Sequence, residues 1–285
     1  MKKDVIFLSV LILFSALLIF TMSNFTEDVK GRPLYQKLGF IPQGKLYRSL
    51  LGEFRWSSGE YFTFKATTYY GGKSKNIMSG RLREVEYYNL YRTIVTAILL
   101  NPYHEDAYYF AEGAFAWDIA KVRETNALLK YVIKYRNWDF KIPFFLGFNY
   151  AYFLKDYGKA ALYFKRAAEM THSSLFTNLA ARYFYEGGET ELGITFLKYM
   201  INNTKDERIK EIYKKRLTAL LNIEKIETAM EEFKKRYKHL PKDIGELVKY
   251  NILKKIPQDP YGGNFYIDED GKIRTTSKFT YRDFK

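Results

Sequence analysis

The residues able to do chemistry in this chain are few and far apart. Cysteine is absent, which removes disulfides, thiolate metal sites, thiol nucleophiles and a cysteine-linked lipid anchor from consideration. The redox compartment stays open, because a cysteine-free chain suits either kind. The three histidines, His104, His172 and His239, fall at predicted turns or helix ends. His104 and Glu105 are adjacent, whereas two ligands on one helix face stand three or four residues apart. No metal site is expected. Gly39-Phe40-Ile41-Pro42-Gln43-Gly44-Lys45-Leu46 comes close to a phosphate-binding loop. That loop needs Ser or Thr after its lysine to hold magnesium and a buried strand before it. Leu46 follows the lysine, and Pro33 and Pro42 flank the segment, so nucleotide binding is not expected.

Carboxylates are the remaining candidates. Asp268 and Asp270, with Gly271, have oxygen ligands for calcium but lack the distant bidentate glutamate of a helix-loop-helix site. A solvated hairpin turn is the reading we adopt. Glu53 and Glu60, or Glu84 and Glu86, read as surface residues of helices. No catalytic residue, cofactor or metal is expected, and a carboxylate site stays open because convergence in a pocket is not visible in a sequence.

The elements that position these residues are mainly helical. The chain has 285 residues, 47% of them hydrophobic and 18% aromatic, with 26 Tyr and 23 Phe against 3 Trp and only 7 Pro. That is too apolar for a disordered chain. The formal charge of +14 suits nucleic acid, anionic lipid or an acidic protein. Bases and acids nevertheless interleave, as between Lys205 and Lys238, which reads as a solvated surface. Lys and Tyr also interleave, but an exported chain rarely meets nucleic acid, so none is expected as a partner.

Val5 to Met22 carry no charge and no proline. At about 1.5 Å per residue this run spans roughly 27 Å, close to the ~30 Å of a bilayer's hydrocarbon core. A buried core helix should show a polar face, and only Ser9, Ser15 and Thr21 interrupt the run. A cleaved signal peptide needs small residues at its end, where Phe20-Thr21-Met22-Ser23-Asn24 stands. We read residues 1–23 as an uncleaved anchor crossing the membrane through residues 5–22. Lys2 and Lys3 place the N-terminus in the cytoplasm and the remainder outside it.

Residues 24–45, with Gly31, Pro33, Gly39, Pro42 and Gly44, read as a tether. Three- and four-residue spacing from Leu46 to Tyr70 predicts a helix stopped by Gly71-Gly72, then a loop over 73–80 and a helix from Leu82 to Leu100 halted at Asn101-Pro102. An internal repeat follows. The small residue opening each second helix recurs at Ala127, Ala160 and Gly193. One unit reads Phe145-Leu146-Gly147, Tyr150, Lys155-Asp156-Tyr157, Ala160, Phe164, Ala167. The next reads Ala180-Ala181, Phe184, Gly187-Gly188-Glu189, Gly193, Leu197. The earlier one reads Tyr109, Gly113, Ala127, Tyr131. Small residues let helices approach closely, and the large ones fill the space between hairpins.

Over roughly residues 82–202 this pattern resembles the tetratricopeptide-repeat family. The resemblance implies an all-α solenoid of helical hairpins over 46–204, whose first helices line a concave groove for a peptide or a partner's helix. Carried onto this sequence, the register turns Phe110, Trp117, Asp118, Lys141, Phe148, Tyr152, Asn178, Arg182 and Tyr185 toward that groove. Aromatic and Arg side chains suit a protein-binding surface, and packing between hairpins is the alternative role for each aromatic. An apolar stripe from Ile209 to Tyr237 predicts a helix over 205–238 that caps the open end of the solenoid. A basic amphipathic helix lying on the membrane is the alternative.

Residues 239–285 form a separate module. Leu240-Pro241 introduces a helix over Ile244–Tyr250. Asn264–Ile267 and Lys272–Thr275 flank an Asp-Gly turn and predict a β-hairpin. The string Pro257-Gln258-Asp259-Pro260-Tyr261-Gly262-Gly263, continued by Tyr266, Asp270-Gly271 and Thr276-Ser277-Lys278, resembles the C-terminal segment of the type II secretion major pseudopilins. The Gly-Phe cleavage site and the helix glutamate of that family are missing from Met1 to Phe20, so the chain is not a pseudopilin. These features point to a single-pass bacterial inner-membrane protein with an exported, periplasmic repeat domain. It would scaffold other proteins in the envelope, with a secretion or pilus-type complex as the expected setting and the oligomeric state open. An envelope hydrolase or transferase with a carboxylate site, and a binder of anionic lipid or cell-wall polymer, are the alternatives.

Overall fold

The computed structural model describes residues 2–31, 38–39, 41, 43–78 and 84–279. Twelve α-helices and one two-stranded antiparallel sheet make up the regular structure among them. The chain divides into two compact units, Met1–Tyr135 and Arg136–Lys285.

In the first unit α1 spans Lys2–Gly31. Its stretch Ser9–Glu27 is long and apolar enough to cross a membrane. The apolar side chains described along it, among them Phe14 and Ile19, are exposed. That removes the buried-core-helix explanation of its composition. The chain is then pinned well before residue 45. Leu38 and Ile41 are buried. The Leu38 carbonyl accepts from Lys65 Nζ at 2.7 Å, and the Ile41 carbonyl from Arg92 Nη2 at 2.6 Å. The end of the expected tether is thus part of the packed body.

The single helix expected from Leu46 to Tyr70 is two helices, α2 (Gly44–Leu50) and α3 (Arg55–Met78), joined by a 3₁₀ turn over Gly52–Phe54. Gly52 at φ +49° makes the corner. At the other end α3 runs through Gly71-Gly72 instead of stopping there. Glycine costs a helix about 1 kcal/mol relative to Ala but does not block its hydrogen bonds as proline does. Helix α3 therefore occupies most of the stretch expected to be a loop, as far as Met78, and residues 79–83 lie outside the described ones. Helix α4 (Glu84–Leu100) packs on α2 and α3. Gly44 sits on Leu99 and Thr96, and a Cβ at Gly59 would fall 2.7 Å from Asn101 Cβ. Between the helices lie Ile41, Phe62, Ala97 and Leu100, with Tyr47 and Leu51 against them. Helix α5 (Glu105–Ala111) passes into a π-helical turn, Glu112–Asp118, before α6 (Val122–Val132).

The second unit runs α7 (Lys141–Tyr152), α8 (Tyr157–Thr171), α9 (Ser174–Glu186), α10 (Thr190–Asn203) and α11 (Glu207–Tyr237), each packed on the one before it. Close approach is built from small side chains. A Cβ at Gly147 would lie 3.0–3.1 Å from the Phe164 ring, and one at Gly193 would lie 3.1 Å from Leu220. Ala160, Ala167, Ala180 and Ala181 are fully buried. Helix α11 packs on α9, α10 and the short helix Ile244–Lys249, with Tyr213, Leu220, Ile223, Ile226, Met230 and Phe233 of its apolar stripe buried. Tyr213 hydrogen-bonds Thr177 of α9, Leu220 lies against Gly193 of α10, and Phe233 meets the Tyr250 ring. Its first turn is capped by Asp206, whose carboxylate accepts from the N–H of Arg208 and of Ile209.

Three helical hairpins turn in the same way. Ala120, Lys155 and Gly188 each take a left-handed conformation (φ +59°, +55° and +79°). The next residue in each case opens the second helix, and its N–H donates back to the first, to Phe115 O, Tyr150 O and Phe184 O at 2.6, 2.9 and 2.8 Å. This geometry corrects the register of the earliest hairpin. The fourth residue of α8 is Ala160 and of α10 Gly193, but that of α6 is Thr125, which is buried, while Ala127 is exposed. The connection between α6 and α7, residues 133–140, is longer than the one between α8 and α9, residues 172–173, so counting back about thirty-three residues from Ala160 stops two residues short of the buried site.

After α11 come α12 (Ile244–Lys249) and the strands β1 (Phe265–Ile267) and β2 (Ile273–Thr275), paired Phe265↔Thr275, Tyr266↔Arg274 and Ile267↔Ile273. Gly271 at φ +75° makes the expected Asp-Gly turn.

Candidate functional site

The C-terminal module is held together by one buried carboxylate. Asp259 accepts from Tyr261 N–H at 2.9 Å, from Ser277 Oγ at 2.6 Å and from the Thr275 hydroxyl. Gly262 supplies φ +78°, and a Cβ on Gly263 would meet both Asp259 Oδ2 and Ser277 N at 2.6 Å. The Pro-x-Asp-Pro-Tyr-Gly-Gly string therefore has a structural purpose here: it brings a loop, a strand and the Thr-Ser segment onto one carboxylate. Asp268 is likewise occupied. Its Oδ1 accepts from the N–H groups of Asp270 (3.1 Å) and Lys272 (2.8 Å), and its Oδ2 from Arg274 Nε (2.8 Å). Partial burial works against its charge, and these bonds outweigh that and hold the carboxyl below its usual range. Such an arrangement is a hairpin turn's own bonding.

This module closes onto α9. Asn178, Arg182 and Tyr185 lie on one face of that helix, as the spacing predicts, but Tyr185 is only 6% exposed. Its hydroxyl donates to the Ile273 carbonyl, its ring meets Phe279 edge-on at 5.2 Å, and Arg274 lies over it at 5.5 Å. Burial pushes the Tyr185 hydroxyl's pKa well up, with Arg274 opposing. The expectation that Tyr185 faces an open groove is thus corrected, because the chain's own hairpin covers it. Arg274 also pairs with Glu186, whose other oxygen is 3.9 Å from Arg182 Nε. Arg182, Glu186, Arg274, Asp268 and Tyr266 border a cleft of about 270 Å³. Behind it Arg216, 7% exposed, donates from Nη2 to Phe279 O at 3.2 Å and packs against the rings of Phe279 and Tyr261. Burial lowers its pKa.

The other expected groove residues in this unit lie on α7. Phe144, Phe148 and Tyr152 follow four-residue spacing, with Phe148 stacked on Tyr152 at 5.3 Å and Phe144 against Phe176 at 5.5 Å. Tyr152 is 55% exposed, and Lys155 Nζ sits 5.4 Å from its ring centroid. Lys141 opens the helix half-buried. Asn178 is half-buried on α9, with a buried Oδ1 that has no hydrogen-bond partner among the described residues. In the first unit Phe110 is half-buried between the rings of Tyr70 and Phe115. Trp117 and Asp118 are exposed, and Tyr70 donates its hydroxyl to Asp118.

The remaining candidates stay dispersed. His104 precedes α5 and lies 3.8 Å from Asp106, His172 ends α8 in a left-handed conformation, and His239 follows α11. Gly44 starts a helix against α4 and Lys45 is exposed, with no strand before them among the described residues; Phe40 and Pro42 lie outside these. Glu53 and Glu60 are exposed, and the side chains of Glu84 and Glu86 lie outside the described ones. Sequence reasoning passed over Arg216, Arg274, Glu186 and Asp259. The turn string was the one signal that could have flagged any of them. No family model matches the chain, and no curated protein matches it.

Proposed function

We propose that this chain is a membrane-anchored scaffold of tetratricopeptide type that holds a segment of a partner protein in the bacterial envelope. The observation that carries the reading is the set of three hairpins that turn on Ala120, Lys155 and Gly188, with small residues at the helix crossings of α7–α10. Helix α1 supplies the anchor. The receiving surface is the α7 stripe of Phe148 and Tyr152 with Lys155 beside it, continued on α9 by Asn178 and Arg182. Half-exposed aromatic rings next to a cation match an extended segment carrying apolar and acidic side chains. Assembly of a secretion or pilus-type complex is the role in view, on the C-terminal turn string alone.

A photo-crosslinking residue at Tyr152 in the full chain, expressed in its native membrane, tests this. We expect one dominant adduct with another protein, weakened by Phe148→Ala. Crosslinking to lipid only, or an adduct pattern matching that of a probe at the exposed α10 position Tyr199, would refute the scaffold reading. A thiol probe at Lys130→Cys, unique in a cysteine-free chain, reports the side of the membrane on which the first unit lies.

A further inference from the structure

Several features of the first unit remain without a use. Gly44 and Tyr47 of α2, and Leu51 just after it, turn inward onto α4 and Phe62. Its opposite face carries Lys45, Leu46, Ser49 and Leu50, all exposed. Leu50 is 73% exposed, and Phe54, just after the corner at Gly52, is 76% exposed. Large apolar side chains presented outward on consecutive turns mark a contact surface.

Two facts on the chain itself say what that contact is. The first is reach. Six residues separate Gly31, the end of α1, from Leu38, which is buried and held by Lys65. Seven peptide steps extend at most roughly 25 Å. Arg92 holds Ile41 directly afterwards, so the chain cannot unspool to lengthen this span without breaking the unit's core. If α1 crosses the bilayer, this short span keeps the first unit near the headgroups, and α2 is the first element after the pinned segment. The second fact is charge. Residues 30–55 contain Lys30, Arg32, Lys37, Lys45, Arg48 and Arg55 against a single acid, Glu53. A basic stretch close to a membrane is drawn to anionic lipid within about a Debye length, roughly 8 Å at physiological salt.

We infer that the outer face of α2 and the following corner, Leu46, Leu50 and Phe54 with Lys45, is a lipid-docking surface. It enters the headgroup region of an anionic bilayer and fixes the orientation of the first unit on the membrane. The inference rests on α1 as an anchor, and it assigns the membrane a second contact apart from that helix. The apolar side chains lie at the acyl boundary, and Lys45 meets phosphate, as in helices that lie in the interface.

The absence of cysteine makes each introduced thiol unique. Full chain carrying Leu50→Cys, labelled with an environment-sensitive fluorophore, is reconstituted into vesicles of phosphatidylcholine with phosphatidylglycerol. Arg123→Cys on α6 and Leu192→Cys on α10 serve as exposed references. Lipids carrying a quencher high on the acyl chain should lower the Leu50 signal roughly threefold and leave the references near their starting values, given a depth of about 5–10 Å for an interfacial helix. Adding Lys45→Glu should reduce the quenching in phosphatidylglycerol vesicles, and less so in pure phosphatidylcholine. Equal quenching at Leu50 and both references, in chains that resist alkaline extraction, overturns the inference. So does a blue-shifted Leu50 signal that lipid quenchers do not touch, because a protein or a second copy would then cover the face. Release of the chain by alkali overturns the anchor itself and is read separately.

Discussion

Replacing Asp259 by alanine removes one carboxylate and strands three donors. Tyr261 N–H loses that acceptor, and the hydroxyls of Thr275 and Ser277, 3.1 Å apart, lose the carboxylate oxygen they share while still accepting from the N–H groups of Ser277 and Phe279. A buried donor left without a partner costs about 1–3 kcal/mol. Three of them set an upper figure, and two effects lower it: the hydroxyls pair mutually, and the variant no longer has to bury a charge. We expect a net loss of about 3 kcal/mol, confined to residues 257–279. Asp259→Asn keeps an acceptor for one or two of the donors and should cost roughly 1 kcal/mol. By the tenfold-per-1.4-kcal/mol relation, the alanine variant opens its module about 150-fold more often than the parent. Hydrogen exchange followed by mass spectrometry reads this at the amides of β1 and β2, with α4 as an internal reference. Exchange at Ile273–Thr275 within about twofold of the parent would refute the claim that one carboxylate holds the module. If α8 and α9 open along with it, the asparagine variant still ranks the two effects.

Four further outcomes follow from the packing and the charges. Gly71→Ala, with nothing within 4 Å of its new methyl, should raise stability by about 0.5–1 kcal/mol if α3 runs through that position, and thermal melting checks it. Gly147→Ala gains the same propensity but drives a methyl into the Phe164 ring; overpacking of about 1–3 kcal/mol should leave it net destabilised in the same melt. Glu227 is partly desolvated, and Glu224 and Glu231 repel its charge, so its carboxyl holds a proton to higher pH than in the unfolded chain despite the hydroxyl of Thr190. The folded state then binds more protons across that window, and stability falls as pH rises through it. Glu227→Gln should therefore melt higher than the parent at pH 7 and converge with it below about pH 4; a lower melting point at pH 7 would contradict the sign. Arg274→Ala and Glu186→Ala should each loosen the hairpin, with a coupling between them of about 0.5–3 kcal/mol in a double-mutant cycle.

Elements with a strong local signature were legible in the sequence. The stripe of α11 and the Asp-Gly hairpin were placed to within a few residues, because each is encoded by neighbours along the chain; α1 contains the expected apolar run but continues to Gly31, into the stretch read as a tether. The misplacements share a different cause. Nothing near Gly71 says that the helix continues, since glycine weakens a helix by an amount that tertiary packing overrides. The long connection over residues 133–140 alters the count of residues between α6 and α8 without altering composition, and so moved the expected small residue from Thr125 to Ala127. Tyr185 was read as facing an open groove, but its cover comes from Ile273, 88 residues away. Arg216 was invisible for the same reason. It reads as one more solvated cation in a charged helix until Tyr261 and Phe279 enclose it.

The cover over Tyr185 also makes the chain its own competitor. A tethered occupant acts at an effective concentration in the millimolar range, whatever the abundance of outside ligands. If opening costs about 3 kcal/mol, roughly one molecule in 150 presents Tyr185 at any moment. A segment that would bind the bare face with Kd of about 1 μM is then held to an apparent value near 150 μM. Access to that end of α9 is therefore set by the stability of the hairpin, and a partner that binds tightly there must carry enough affinity to displace it.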